Sequence, residues 1–296
     1  MIIDLKYHIA SLVAVFLALG IGILVGSAVL GNNVDDVIMK QQKQMVDDLN
    51  RNMDKIRKDN VVAKEEIDAY KSSLNVSKQF EQQLLPSLVA NKLAGKKLAI
   101  VETGNAGFSN DWINTLKLSG AKVSSITTVL DGINLTDQKV RKDIATKLML
   151  TDTSDEAMTK EISKEMAAGI LTAQNIENLH YFEQQGLIKT SGDYGVPINA
   201  VIIVGGSQTD LKDRCVKLDI PMMDYFISKK IQVYGVEASE VQYSYMKQYQ
   251  KLKVSTIDNV DMVPGQVSLV MAVYGEQGNY GLKNTAKQLW PAIPWE

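Results

Sequence analysis

Residues 98–107 read LAIVETGNAG, a short apolar run followed at once by a turn that contains two glycines. An apolar run of this length that ends at turn-forming residues is typical of a buried strand. Similar runs follow it at intervals along the rest of the chain. They cover Lys122–Thr127, Ala200–Val204, Ile231–Val236 and Val254–Ile257.

Amphipathic helical patterns lie between and after these runs. They cover residues near 109–118, 137–150, 154–185 in two pieces, 214–229 and 264–274. Strands that alternate with helices predict βαβ units and a parallel sheet. We therefore expect residues 96–296 to form an α/β domain with a flavodoxin-like parallel sheet.

Two glycine-containing turns, at Thr103–Gly107 and Val204–Gln208, follow predicted strands. Open α/β sheets bind ligands at the carboxyl ends of their strands. A tail turn near Tyr280, together with Trp290, could cover the same edge, or it could be an ordinary closing loop. The candidate surface for a ligand or a partner is Gly104, Asn105, Gly205, Gly206, Ser207, Asn279, Tyr280 and Gly281.

Neither glycine turn carries a known catalytic motif. The first lacks the three-glycine dinucleotide fingerprint, and the second lacks the lysine of a phosphate-binding loop. Ser207 is not in a GxSxG arrangement, and Cys215 has no evident histidine partner. Glu102 and Asp258 could act as an acid and base pair, but acids at strand ends more often cap the next helix. We expect no enzyme activity and no catalytic residues.

Metal-ligating residues are few or scattered. The chain has one cysteine and two histidines, which leaves little for a metal site. Its 12 methionines include no Met-x-Met, and Met222 and Met223 are expected to fill gaps in the core. The residues themselves therefore predict no metal and no cofactor, and the lone Cys215 is expected to be buried.

N-terminal to the α/β domain, residues 32–88 predict a coiled-coil helix. Few of its residues are apolar, but they recur at steps of four and three. A helix this polar needs a partner helix, and at about 1.5 Å per residue it would span roughly 75 Å. We expect a parallel homodimer, with a heteromeric coiled coil as the alternative, and we expect Pro86 to end the helix. The seam contains Ile56, Asn60, Ala63, Ile67, Tyr70 and Leu74.

Residues 9–31 read IASLVAVFLALGIGILVGSAVLG and carry no charge. A run of this length spans the hydrocarbon core of a bilayer, which is about 30 Å thick. It predicts one transmembrane helix, with residues 1–8 as a cytoplasmic tip; a cleaved signal peptide is the alternative. Lys6 precedes the run and Asp35 and Asp36 follow it, so the positive-inside rule places the C-terminal domain outside the cytoplasm.

Small residues recur every fourth position in this segment. Such a stripe lets two transmembrane helices approach closely, which favours pairing in the membrane as well as in the coil. The stripe consists of Ala10, Ala14, Ala18, Gly22 and Gly26.

The average composition hides these three regions. The net charge is −2, and the sequence pI is about 5.8. Because a nucleic-acid surface needs clustered Lys and Arg, nucleic acid is not an expected partner. The near-zero mean hydropathy is a cancellation between an apolar anchor and a polar coil.

Two blocks of sequence resemble the MctB/SteB family of bacterial envelope proteins. The first is IDLKYHIASLVAVFLALGIGILVG at residues 3–26. The second is the tail, with DNVD at 258–261, PGQV at 264–267 and GNYGLK at 278–283, then Ala286 and Leu289-Trp290-Pro291. The resemblance covers the anchor, the coil and the α/β domain.

The resemblance implies two different functions. The MctB name implies copper transport or copper homeostasis at the outer membrane. The SteB name implies cell separation, with a SteA-like partner and control of peptidoglycan hydrolysis. One uncharged spanning helix cannot enclose a polar path by itself. We therefore expect a non-catalytic scaffold or regulator in cell division or wall remodelling, with copper handling as the alternative.

Overall fold

A computed structural model describes residues 5–104, 111–130, 133, 135, 137–210 and 212–292. The chain divides into two compact units, Met1–Ser77 and Lys78–Glu296. The second unit begins before the predicted domain boundary at residue 96. It does so because Leu85, Leu88 and Val89 pack into the core of the α/β domain.

The first unit is helical. Helix α1 runs from Leu5 to Val89, and its last turns belong to the second unit. Its segment Lys6–Val29 has a mean hydropathy of 2.6, with none of that window buried, so it is long and apolar enough to cross a membrane. The two serines of the segment, Ser11 and Ser27, donate to the carbonyls of His8 and Leu24 in the preceding turn. Both hydroxyls are therefore satisfied within the helix, as a hydrocarbon environment requires.

The second unit alternates strands and helices, as the sequence predicts. Its strands are β1 Lys97–Glu102, β2 Lys122–Val129, β3 Ile188–Gly192, β4 Ala200–Val204, β5 Gln232–Val236, β6 Ser255–Ile257 and β7 Asn279–Tyr280. Its helices are α2 Asp111–Leu118, α3 Gln138–Lys147, α4 Asp155–Leu171, α5 Ile176–Gln184, α6 Lys212–Arg214, α7 Ile220–Ser228, α8 Met246–Tyr249 and α9 Val263–Tyr274. A π-helical turn, Cys215–Asp219, joins α6 to α7, and 3₁₀ turns lie at Ala173–Asn175 and Gln250–Leu252.

Local sequence explains where two of these helices begin. The carboxylate of Asp137 accepts from the backbone N–H groups of Lys139 and Val140 at the start of α3. The hydroxyl of Ser154 accepts from the N–H of Ala157 at the start of α4. Both are N-caps, which satisfy N–H groups that have no partner within the helix.

The sheet follows the order β3-β2-β1-β4-β5-β6-β7. Every neighbouring pair is parallel except β2 with β3, which is antiparallel. Without the edge strands β3 and β7, the parallel strands follow the order 2-1-3-4-5, which is that of flavodoxin-like folds. The predicted flavodoxin-like α/β domain is confirmed, with an added antiparallel edge.

The alternation of side chains along the central strands builds a core on each face of the sheet. Ala99 and Val101 of β1 point to the face covered by α4, α5 and α7. Leu98 and Ile100 point to the opposite face, where α2, α9 and the end of α1 pack. All five residues of β4 are buried, as expected for a central strand covered on both faces.

The structure departs from the sequence prediction at three elements. Helix α1 does not end at Pro86 but continues to Val89. Proline removes one N–H from the helix, and the packing of Leu88 and Val89 in the core compensates for that lost hydrogen bond. Strands β3 and β7 were not predicted. Both lie at sheet edges, and their sequences, IKTSG and NY, lack a continuous apolar run.

Candidate functional site at the carboxyl edge of the sheet

The described part of the first predicted glycine turn, Thr103 and Gly104, meets the second turn at the point where the strand order reverses. Gly104 follows β1, and Gly205 follows the neighbouring strand β4. The N–H of Gly104 donates to the carbonyl of Val204 at 3.0 Å. A Cβ on Gly104 would lie 2.7 Å from the carbonyl oxygen of Gly205 and would also collide with that of Gly206. Only a glycine at position 104 lets its backbone lie this close to the carbonyl groups of Gly205 and Gly206. The predicted Asn105 lies outside the described residues.

Ser207 and the turn around it are fixed by the chain itself. Ser207 is fully buried, and its hydroxyl donates to the carbonyl of Thr209 at 2.6 Å. Its backbone also pairs with Tyr243 in both directions. A serine nucleophile needs a base within hydrogen-bond reach. The hydroxyl of Ser207 donates to a carbonyl instead.

Two tyrosines that sequence reasoning missed fill the space above Gly205. A Cβ on Gly205 would lie 2.9 Å from Cζ of Tyr249 and 2.9 Å from Cδ2 of Tyr245. Tyr249 also contacts Gly235 on the adjacent strand β5. Tyr245 and Tyr249 therefore belong to the core cluster that packs on one face of β4 and β5.

The hydroxyl of Tyr249 donates to a buried carboxylate, Asp219, at the end of the π-helical turn. Thr103, at the end of β1, donates to the same Oδ2 atom at 2.9 Å. Asp219 is 0% exposed, and burial raises its pKa from 3.8 to about 7, although both hydrogen bonds and Arg214 oppose the shift. The sequence carried a weak sign of this residue, since Asp219 is a single acid among the apolar residues Leu218 and Ile220.

Arg214 and Cys215 lie beside this carboxylate. The Nη2 atom of Arg214 donates to the carbonyls of Val129 and Leu130 at the end of β2. Cys215 is buried, and burial, aided by the nearby Asp219, raises the pKa of its thiol. A thiol that stays protonated is a poor nucleophile, so Cys215 has the character of a core residue.

A second buried carboxylate, Glu237, follows β5. It accepts from Nζ of Lys283 at 2.8 Å and from the hydroxyl of Ser244 at 2.6 Å. Burial raises the pKa of Glu237, while the bonds to Lys283 and Ser244 oppose the shift. Lys283 belongs to the tail block, so this ion pair ties the tail to the carboxyl edge.

The tail residues are positioned by the third acid, Asp258, which follows β6. Its carboxylate accepts from the backbone N–H groups of Leu282 and Lys283 at 2.7 and 3.0 Å. Asn279 and Tyr280 form β7 beside β6, and Tyr280 is buried, with its hydroxyl bonded to the carbonyl of Glu276. Asp258 therefore caps the tail turn.

Glu102 and Asp258 are not neighbours. Glu102 ends β1 and accepts from the hydroxyl of Thr128 at 2.6 Å. Two strands, β4 and β5, lie between β1 and β6, which puts the ends of β1 and β6 roughly 14 Å apart. The two carboxylates cannot act together on one bond.

The methionines of the domain are mainly core residues. Met222 and Met223 are fully buried, as predicted from the sequence. The described residues contain no group of three or more His, Cys, Asp or Glu side chains that could hold a metal ion. Several thioethers nevertheless share the core cluster that contains Cys215. They belong to Met158, Met166, Met222, Met223 and Met246.

A surface cavity of about 510 Å³ lies away from the glycine turns, between α4 and α7. Lys160, Lys164 and Lys217 line it together with Glu156 and Asp224. None of the described residues of the predicted candidate surface lines it.

The small-residue stripe lies on α1 in the first unit. Among the described residues, no atom outside the local helix backbone lies within 4 Å of a Cβ added at Gly22 or Gly26. The stripe is therefore open to a second helix.

These features define a class of protein, a flavodoxin-like α/β domain whose chain carries an N-terminal helix long and apolar enough to cross a membrane. The chain belongs to the family described as "Copper transport outer membrane protein, MctB", whose model matches residues 2–291. It is similar to proteins named "Copper transporter MctB" from Mycobacterium tuberculosis and Mycobacterium bovis. Each is 22% identical over 316 residues, which covers 94% of this chain and 96% of the relative. The family expected from the two sequence blocks is confirmed. The family is described as a membrane protein, which agrees with the N-terminal apolar helix of this chain.

Proposed function

We propose that this protein acts in copper transport or copper homeostasis as a single-pass, membrane-anchored envelope protein. The observation that carries the proposal is the family match over residues 2–291, which includes the anchor, the coil and the α/β domain. The relatives named as copper transporters align over 94% of the chain, so the likeness is not confined to one segment. The family match therefore favours copper handling, whereas the residues alone favoured a scaffold or regulator with copper handling as the alternative.

The side chains best suited to contact copper in this proposal are the buried thioethers. Soft sulfur ligands favour Cu(I) over harder cations. Met222 and Met223 lie in the same core cluster as Met158 and Met166, so several sulfur atoms occupy one apolar region. Copper is the cargo of the protein in this proposal and not a resident cofactor.

The experiment is a Cu(I) competition titration of the full chain in detergent. The Met222→Leu, Met223→Leu double variant removes two thioethers with little change in side-chain volume, so the fold should be retained. The control is Met149→Leu, because Met149 is 88% exposed and outside the core. We expect saturable binding that weakens at least tenfold in the double variant and is unchanged in the control.

A strain that lacks the gene supplies the second test. We expect lower copper tolerance, restored by the full chain. Unaltered tolerance, together with the absence of saturable Cu(I) binding by the purified chain, would overturn the copper proposal.

A second candidate is a non-catalytic scaffold in cell division or peptidoglycan remodelling. The observation that favours it is the exposed apolar seam of α1, where Ile56, Ile67 and Leu74 are each more than half exposed. A homodimer formed through this seam and the small-residue stripe would present the domains for a SteA-like protein or a peptidoglycan hydrolase. Capture of such a protein on full-length bait, lost when Ile67 and Leu74 are replaced by Lys, supports this function. If no such protein is captured even after crosslinking, the scaffold function is contradicted.

The proposed arrangement places the α/β domain outside the cytoplasm, with an uncleaved anchor. Lys6 before the apolar segment and Asp36 after it support this orientation. The position of the domain decides which partners it can meet in either function.

A further inference from the structure

Two charged side chains, the partly buried Arg214 and the fully buried Asp219, lie where the strand order of the sheet reverses. Arg214 is held at the end of β2, because its Nη2 donates to the carbonyls of Val129 at 3.1 Å and Leu130 at 3.4 Å. Asp219 is held at the end of β1, because its Oδ2 accepts from Thr103 and Tyr249. Each side chain is therefore held by hydrogen bonds to one of its polar atoms, Nη2 of Arg214 and Oδ2 of Asp219.

The remaining polar atoms of both side chains have no hydrogen-bond partner among the described residues. The Nε and Nη1 atoms of Arg214 and the Oδ1 atom of Asp219 are buried and make no hydrogen bond. Arg214 is close enough to lower the pKa of Asp219. Leaving a buried donor or acceptor unpaired costs its desolvation free energy, and the cost is larger for a charged group. Three such atoms on two neighbouring side chains are a costly arrangement for a purely structural role.

Their location is the one at which open α/β sheets bind ligands. The crevice of such a sheet lies outside the carboxyl ends of its strands, at the point where the order reverses. In this domain that point is between β1 and β4. Tyr245 and Tyr249 pack against Gly205 after β4, whereas Arg214 is bonded to the end of β2 and Asp219 to Thr103 after β1.

The chemistry of these atoms restricts what they can bind. A guanidinium group only donates hydrogen bonds and is always charged, so its partner must supply acceptor oxygens and is favoured if it is an anion. The carboxyl of Asp219 can accept a hydrogen bond or, when protonated, donate one. A hydroxyl group satisfies it in either state.

We propose that Arg214 and Asp219 form a binding site for a small hydroxylated anion, such as a hydroxycarboxylate or a sugar phosphate. Arg214 binds the anionic oxygens through Nε and Nη1, and Oδ1 of Asp219 bonds to a hydroxyl of the ligand. This site is separate from the buried methionines, so it goes beyond the copper proposal and can fail independently of it.

Burial raises the pKa of Asp219 to about 7, so its charge changes near neutral pH. Ionised Asp219 repels an anion, so binding should weaken as the pH rises through 7. Arg214 keeps its charge over this range. Of the other groups around Asp219, Cys215 and Tyr249 have raised pKa values and stay neutral, and Glu237 is paired with Lys283.

The test is calorimetric titration of the full chain in detergent with glycerate and with glycerol 3-phosphate, and with glycerol as the neutral probe. Glycerate stays ionised from pH 6 to pH 8, so any change in its affinity reports on the protein. We expect both anions to bind with a Kd below about 1 mM and glycerol not to bind. For wild-type protein, the affinity for glycerate should fall several-fold between pH 6 and pH 8.

Three variants complete the test. Arg214→Met should weaken anion binding at least tenfold, and Arg214→Lys, which keeps the charge, should weaken it less. Asp219→Asn should bind glycerate with an affinity that no longer depends on pH. The matched control is Arg141→Met, because Arg141 already has partners in Asp155 and Thr153. Absence of binding by the wild-type protein, equal loss in the Arg141 control, or full binding by folded Arg214→Met would overturn the site.

Discussion

At Gly281 the backbone has a φ of +140°, and an added Cβ would lie 2.6 Å from Oδ2 of Asp258 and closer still to its Oδ1. The same carboxylate accepts from the N–H groups of Leu282 and Lys283. The tail turn therefore depends on a residue without a side chain at this position. Lys283, fixed by the turn, then reaches Glu237.

Gly281→Ala should destabilise the domain by about 3 kcal/mol, because it combines backbone strain with displacement of the Asp258 carboxylate. The matched control is Gly275→Ala. Gly275 has a similar φ of +149° but open space around it, so strain alone should cost about 1 kcal/mol. Urea unfolding followed by tryptophan fluorescence measures both values, since Trp112 is buried. Equal losses in the two variants would show that the contact with Asp258 is unimportant.

Asp219 should make the stability of the folded domain fall as the pH rises from 4 to 7. Its pKa is raised from 3.8 to about 7, so in this range the folded state holds a proton that the unfolded state has released. The loss is up to about 1.4 kcal/mol per pH unit. Asp219→Asn cannot ionise and should remove this part of the slope.

The measurement is urea unfolding of the wild-type protein and the Asn variant at several values between pH 4 and pH 8. Glu237, whose pKa is also raised, is present in both proteins, so the difference between the two curves isolates Asp219. Parallel curves over the whole range would contradict the assignment.

Among the elements, α1 exposes apolar side chains along its predicted seam. Ile67 and Leu74 are 51% and 55% exposed on the predicted seam. Val62 and Val76 are 53% and 64% exposed, but they lie one position before Ala63 and two positions after Leu74, off the seam. These four positions separate the effect of the seam from that of general hydrophobicity.

Replacing Ile67 and Leu74 with Lys should dissociate the proposed homodimer, because two charges would enter a paired apolar interface. Replacing Val62 and Val76 with Lys should leave it intact. Analytical ultracentrifugation of the full chain in detergent measures the mass, and we expect a shift of at least 100-fold in the dimer dissociation constant for the seam variant only. A monomeric wild-type protein, or equal shifts in both variants, contradicts pairing through the seam.

For the whole molecule, the side of the membrane on which the α/β domain lies is the property on which both proposed functions depend. A phosphatase reporter fused after Glu296 should be active outside the cytoplasm, and a fluorescent reporter that matures only in the cytoplasm should be dark at the same position. The control is the same pair of reporters fused before Met1, where the results should be exchanged. An active cytoplasmic reporter after Glu296 would contradict the proposed orientation.

Most of the fold could be predicted because its elements have strong local patterns. The apolar segment at Lys6–Val29 and the uniformly apolar β4 need no tertiary information. The edge strands β3 and β7 could not be predicted, because an edge strand is fixed by its neighbour and by turns. At the candidate site, Gly104 and Gly205 could be found from their position after strands. Arg214 and Tyr249 could not, since no motif places them beside those strands.

The sequence by itself determined the anchor, the long polar helix, the α/β class and the family, because each rests on periodicity or on blocks of local sequence. Only the tertiary structure decided that Tyr245 and Tyr249 pack against Gly205 and that, among the described residues, atoms of Arg214 and Asp219 have no hydrogen-bond partner. Asp219 and Thr103 are 116 positions apart along the chain, yet they share a hydrogen bond. Strand order brings such residues together, and strand order is set by packing across the whole domain and not by any local stretch of sequence.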